Sequence, residues 1–195
     1  GSRLVYNIRN NIFNTNITKT HNIISVNSNV IITYRNPLDS LASLILIDNP
    51  YIQPSQVDDT LLLRKLNELR KNGLDDIIKI FNNPHPLFLK YEDFRDNYDY
   101  LYENISTHFN VYIDNTKREV INNKFSLDNV KKQIKGYKSF KEWDNKTKLH
   151  GNHVSKYGGE SYYKVFFTHN HLEKIKGELN EHIKILGYDE EVYTD

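Results

Sequence analysis

Val30-Ile31-Ile32-Thr33-Tyr34-Arg35-Asn36-Pro37-Leu38-Asp39-Ser40-Leu41-Ala42-Ser43-Leu44 decides the reading of this chain, because it joins an apolar strand to a helix through a turn that carries a fixed cation. Val30 to Tyr34 is a short β-branched run of the kind that forms a strand covered on both faces, and Asn36-Pro37 ends it with a turn-forming pair. Pro37 suits a helix's first turn, where a missing amide costs no hydrogen bond. Leu38, Leu41, Ala42, Ile45 and Leu46 then recur at helical spacing, so one helix face packs on the sheet. Arg35 stands at the strand's carboxyl end, where open α/β sheets place their ligands, and Ser43 lies about two turns into the helix. A guanidinium fork and a hydroxyl converging there would hold a phosphate. The same spacing also fits Arg35 paired with a carboxylate such as Asp39, and Ser43 as a small packing residue. The pattern alone leaves both readings open.

Outward from this stretch the chain alternates between helix and strand, which predicts an α/β fold with a parallel β-sheet flanked by helices. Leu4, Ile8, Ile12 and Phe13 predict an opening helix, and Asn22 to Ser28 a short strand. Asp58 to Lys71 reads as a helix stopped by Gly73, and Leu74 to Phe81 as a second, ended by Asn82-Asn83-Pro84. Leu87 to Lys90 is another buried strand, Tyr98 to Phe109 an aromatic-rich helix beside it, and Leu172 to Leu186 a closing helix with Gly187 at its end. With 195 residues, 38% of them hydrophobic, and no boundary rich in Pro, Gly or Ser, a single domain over 1–195 is expected.

Arg35-Asn36-Pro37-Leu38-Asp39 followed by Ser43 resembles the 3′-phosphate-binding motif of the sulfotransferases that use 3′-phosphoadenosine 5′-phosphosulfate (PAPS). Three further stretches agree with that family in order. Lys19-Thr20-His21 resembles its KTH triplet, and Leu87 to Asp93 its strand ending in YED. Lys156-Tyr157-Gly158-Gly159 and the residues to Thr168 resemble the late basic, glycine-containing loop. The resemblance implies a P-loop NTPase-like sulfotransferase architecture. It also implies that Arg35 and Ser43 grip the 3′-phosphate, that Tyr91 lies near the adenine, and that Ser155, Lys156, Gly158 and Gly159 close over the nucleotide. Here Tyr157 stands where the family commonly has a lysine.

The family's 5′-phosphosulfate loop combines a lysine with small hydroxyl residues ahead of the first helix. Gly1, Ser2 and Arg3 fit the tail of that loop, and Gly1-Ser2 fits a cloning remnant equally well. The loop lysine is not in the sequence, and catalysis requires one upstream.

The chemistry implied is sulfuryl transfer from PAPS to a hydroxyl or amine acceptor, a small molecule or glycan, leaving 3′-phosphoadenosine 5′-phosphate (PAP). His21 would be the general base: an imidazole of pKa about 6.5 accepts a proton near neutrality and typically contributes about 10²- to 10⁴-fold. Lys19, two positions away, shares its face if the segment is extended and would stabilise the transferring group. An ordinary solvated loop is the alternative for both. Trp143, with Tyr137 and Phe140 nearby, reads as a core anchor or a wall of the acceptor pocket.

Composition bounds the rest. A formal charge of +1 gives no support to a nucleic-acid binder. The absence of cysteine rules out a disulfide framework, and eight scattered histidines propose no metal. Nothing approaches the roughly 20 apolar residues of a membrane span, and no signal peptide is visible, so a cytoplasmic protein is expected. A nucleotide or small-molecule kinase should show a Walker lysine and a magnesium carboxylate, and neither is evident; a noncatalytic nucleotide-binding scaffold is the other alternative.

Overall fold

The computed structural model of the chain describes residues 6–10, 15–19, 30–139, 141–145, 149–151 and 161–193. These are mostly helical, with a small parallel sheet of two strands, β3 (Ile31–Tyr34) and β4 (Leu87–Lys90). Ile31 lies opposite Leu87 and Tyr34 opposite Lys90, so both strands end at the same edge. That register brings the turn at Arg35 beside the residues following Lys90.

Parallel neighbours need a long crossover. Here it is α1 (Pro37–Asp48), α2 (Asp59–Leu69) and α3 (Asp75–Ile80). Asp58 caps α2 by accepting the Leu61 amide at 2.7 Å. Gly73, at φ 118°, makes the bend between α2 and α3 in a backbone region that side chains disfavour. β4 runs directly into α4 (Tyr91–Phe94), followed by α5 (Tyr98–Phe109), α6 (Asn115–Phe125) and α7 (Leu127–Ile134). Then come α8 (Tyr163–Phe166), α9 (His169–Ile185) and α10 (Asp189–Tyr193).

The core forms where the inner stripe of α1 meets α2, α8 and α9. Leu38, Leu41, Ala42, Ile45, Leu62, Ile175, Leu179 and Ile183 are all fully buried, joined by Tyr163, Phe166 and Tyr188. Each such Leu or Ile gains about 1.5–3 kcal/mol by leaving water. The same stripe that was legible as Leu38, Leu41, Ala42, Ile45 and Leu46 therefore fixes how α1 presents its other residues.

Four expectations are corrected. The opening helix is instead a hairpin pair, β1 (Tyr6–Asn10) antiparallel to β2 (Thr15–Lys19), with Tyr6 opposite Lys19. The spacing of four between Leu4, Ile8 and Ile12 fits period two as well as a helix, and Asn7, Asn10, Asn11, Asn14 and Thr15 are weak helix formers. Neither β3 nor β4 is covered on both faces: Ile32 and Leu89 are buried, but Ile31 is 42% exposed and Leu87, Phe88 and Lys90 are half-buried, so the helices cover one side. The helix near the C-terminus begins at His169, where Thr168 accepts the His171 amide at 3.3 Å, and α10 follows it. Trp143 does not anchor the core; it is 41% exposed, in a β-bridge with His150 that holds its ring at the surface. The predicted strand from Asn22 to Ser28 lies outside the described residues. Among the described residues no helix is long and apolar enough to cross a membrane.

Candidate site at the strand ends

Arg35 follows the last residue of β3, and Tyr91 follows the last residue of β4. Their adjacency is a consequence of the parallel register. The guanidinium carbon of Arg35 sits 5.5 Å from the centroid of the Tyr91 ring, a cation–π arrangement, and that ring is edge-on to Phe94. Arg35 Nε is buried with no hydrogen-bond partner. Among the described residues no carboxylate pairs with this cation.

The nearby carboxylates are occupied elsewhere. Asp39, 2% exposed in the first turn of α1, accepts the backbone amides of Ser161 at 2.9 Å and Tyr163 at 3.0 Å. These two bonds tie Asp39 to the start of α8. Glu92 accepts the Asn36 amide on Oε1 at 3.0 Å and the Tyr188 hydroxyl on Oε2 at 2.7 Å. Asn36 caps α1, its side chain accepting the Leu38 amide at 2.9 Å. Arg35 therefore stands ahead of a well-capped helix of 12 residues, whose amino end favours negative charge.

Ser43 lies on α1 at the helical spacing of Ser40, Leu44 and Ile47, a stripe that is half-buried and distinct from the core stripe. Its hydroxyl has no hydrogen-bond partner among the described residues. Tyr91 is 36% exposed. Of the other predicted site residues, Gly1, Ser2, Arg3, His21, Ser155, Lys156, Gly158 and Gly159 lie outside the described residues. Lys19 closes the backbone of β2. Ser161 has φ 58°, left-handed for a non-glycine residue, and its amide is bound to Asp39.

The phenols around the strand ends stay protonated. Burial raises the Tyr34 hydroxyl above its ordinary value, with Asp93, Tyr100 and Glu92 adding to it. Burial does the same at Tyr98, helped by Tyr91 and Asp96. Tyr98 is also a structural link, donating to the Phe125 carbonyl at 3.0 Å and so tying the α6–α7 elbow to this edge.

Two partners of the site were not read from the sequence. Tyr188 carries no pattern signal beyond following Gly187, and the Glu92–Asn36 bond spans 56 positions. Asn36 as a helix cap, in contrast, is visible in Asn-Pro ahead of an apolar periodic run. Chemically, a cation without a counter-carboxylate, an aromatic face and a helix amino end form a receptor for an anion borne on a flat ring. Among the described residues no group of three or more His, Asp or Glu is arranged to hold a metal ion. No family model, curated protein or solved structure matches the chain.

Proposed function

We propose that this chain is a PAPS-dependent sulfotransferase of the P-loop-containing architecture, acting in the cytoplasm on a hydroxyl or amine acceptor without a metal. The observation that carries the reading is Arg35: a guanidinium at the carboxyl end of a parallel strand, over the Tyr91 ring, with both neighbouring carboxylates engaged by other donors. An arginine held this way suits the 3′-phosphate of PAPS, with Tyr91 toward the adenine and Ser43 adding its hydroxyl.

In this reaction the acceptor oxygen or nitrogen forms a bond to sulfur as the sulfur–oxygen bond to the 5′-phosphate breaks. The electron pair leaves on PAP. His21 takes the acceptor's proton, Lys19 offsets negative charge on the transferring group, and Gly1, Ser2, Arg3, Ser155, Lys156, Gly158 and Gly159 surround the phosphates. The near-neutral charge and lack of cysteine are compatible with a small anionic ligand in a reducing compartment.

Calorimetry tests this directly. PAP should bind, ADP with magnesium should bind more weakly, and Arg35→Met should lose PAP affinity by about ten- to hundredfold, the worth of a charged hydrogen-bonded contact. Preference for ADP with magnesium would point to a kinase. Sulfate transfer should fall by about 10²- to 10⁴-fold in His21→Ala. PAP binding without any transfer would identify a noncatalytic nucleotide-binding scaffold.

A further inference from the structure

We propose that Tyr188 is a positioning residue for the anion site: by donating its hydroxyl proton to Glu92, it keeps that carboxylate from neutralising Arg35. The proposal rests on the sulfotransferase reading only for the identity of the anion.

Glu92 is placed where a carboxylate would be expected to capture Arg35. It follows Tyr91, whose ring lies 5.5 Å from the guanidinium carbon, and its Oε1 already holds the amide of Asn36, the residue next to Arg35. A guanidinium and a carboxylate within reach of one another ordinarily form a fork-like pair. Here they do not, and the second oxygen of Glu92 instead accepts from Tyr188 at 2.7 Å. Two donors, one per oxygen, fix the orientation of the carboxylate.

Tyr188 is well suited to act as a fixed donor. It is fully buried, its ring edge-on to Tyr34 at 6.4 Å, and the Lys90 ammonium lies 4.2 Å from the ring centroid. Gly187, at φ 74°, turns the chain out of α9 immediately before it, a backbone state that favours glycine. Lys90 from β4 places its positive charge against the face of the Tyr188 ring, which helps to hold that ring in place. The surrounding groups are the acid Asp93 on α4 and the phenols of Tyr34, Tyr98 and Tyr100. Those phenols are uncharged near neutrality, because burial raises all three above their ordinary value.

The experiment compares Tyr188→Phe, Glu92→Gln and the double variant by PAP calorimetry and by the ¹⁵Nε resonance of Arg35, which needs no ligand. Tyr188→Phe keeps the ring and removes only the donor. It should bind PAP about three- to tenfold more weakly, as a freed carboxylate competes for Arg35, and its Arg35 resonance should shift. Adding Glu92→Gln should restore both, and Glu92→Gln alone should bind no more weakly than the native chain. Native affinity and resonance in Tyr188→Phe would overturn the proposal. So would a double variant as weak as Tyr188→Phe, which would make Tyr188 a packing residue, or a loss of affinity in Glu92→Gln alone. If the native chain fails to bind PAP, the sulfotransferase reading fails, and the Arg35 resonance still decides the role of Tyr188.

Discussion

The Asp39 carboxylate accepts the backbone amide of Tyr163 at 3.0 Å, across 124 positions of sequence. With the Ser161 amide on its other oxygen, it joins the first turn of α1 to the start of α8. It therefore does two things at once. It holds Ser161 and Tyr163 beside the first turn of α1, and it satisfies two backbone amides there.

Asp39→Asn should expose the first role. The replacement is nearly the same shape, but its amino group would face a backbone N–H in a site that is 2% exposed. A buried donor without an acceptor costs about 1–3 kcal/mol, so urea unfolding should show an unchanged slope and a lower midpoint, the shift times the slope equalling that loss. A loss below about 0.5 kcal/mol, the range of ordinary surface substitutions, would mean that the bond carries no stability.

Among the described residues Lys65 is the most deeply buried charge, 1% exposed at its side chain, with its ammonium bonded to Asp48 and, at 2.7 Å, to Glu68. Burial pulls its pKa down, but the bonds to the two carboxylates outweigh burial and hold it above 10.5. The pair is asymmetric: Asp48 and Glu68 are 52% and 39% exposed and can rehydrate, whereas the ammonium cannot. Lys65→Met should accordingly change stability by less than about 1 kcal/mol, while Asp48→Ala with Glu68→Ala should cost about 3–5 kcal/mol by stranding a buried charge. Thermal unfolding of the two variants, run side by side, checks the order.

How much of this was legible depends on the range of the interaction. β3, α1, α2, β4 and α5 follow from local periodicity and from Asn36, Pro37 and Gly73, whose backbone preferences act within a few residues. Arg35 was readable as a candidate from its place after a strand and Tyr91 only from the YED resemblance, and the parallel register brings them together. What was not legible are the bonds that decide the charge of Arg35, since Asp39 to Tyr163 and Glu92 to Tyr188 link positions with no local pattern between them. The helix α6 was missed because Asn115 to Phe125 is polar on most of its surface, with Val120 and Ile121 exposed, so no apolar stripe announces it. The hairpin at the start was misread for a different reason: a spacing of four satisfies two periods at once.

Asp75 should make stability depend on acidity. Burial alone would raise its carboxyl pKa, but hydrogen bonds from His182 at 2.8 Å and Arg70 at 3.1 Å, with their charges, leave it below its ordinary 3.8. A carboxyl depressed on folding contributes fully above its unfolded value and loses that contribution as pH falls through the folded one. The native chain should therefore exceed Asp75→Asn in stability at pH 5, by no more than about 1 kcal/mol because water screens a carboxylate that is 36% exposed. The difference should shrink below pH 3.8, and one that grew with acid would contradict the assignment.

Asn36 couples the helix cap to the site, and two of its polar contacts can be separated. Its side chain accepts the Leu38 amide at 2.9 Å, whereas its backbone amide, which no substitution except proline removes, donates to Glu92 at 3.0 Å. Asn36→Ala should therefore lose the cap while keeping the backbone bond to Glu92, costing about 0.5–2 kcal/mol, and Asn36→Asp should retain the cap. The two variants should part in anion binding in the opposite sense. Asn36→Asp places a carboxylate next to Arg35 and should weaken PAP binding although it folds well, while Asn36→Ala should bind nearly as the native chain at temperatures where both are folded. Equal PAP affinity in the two variants would show that charge beside Arg35 does not govern the site.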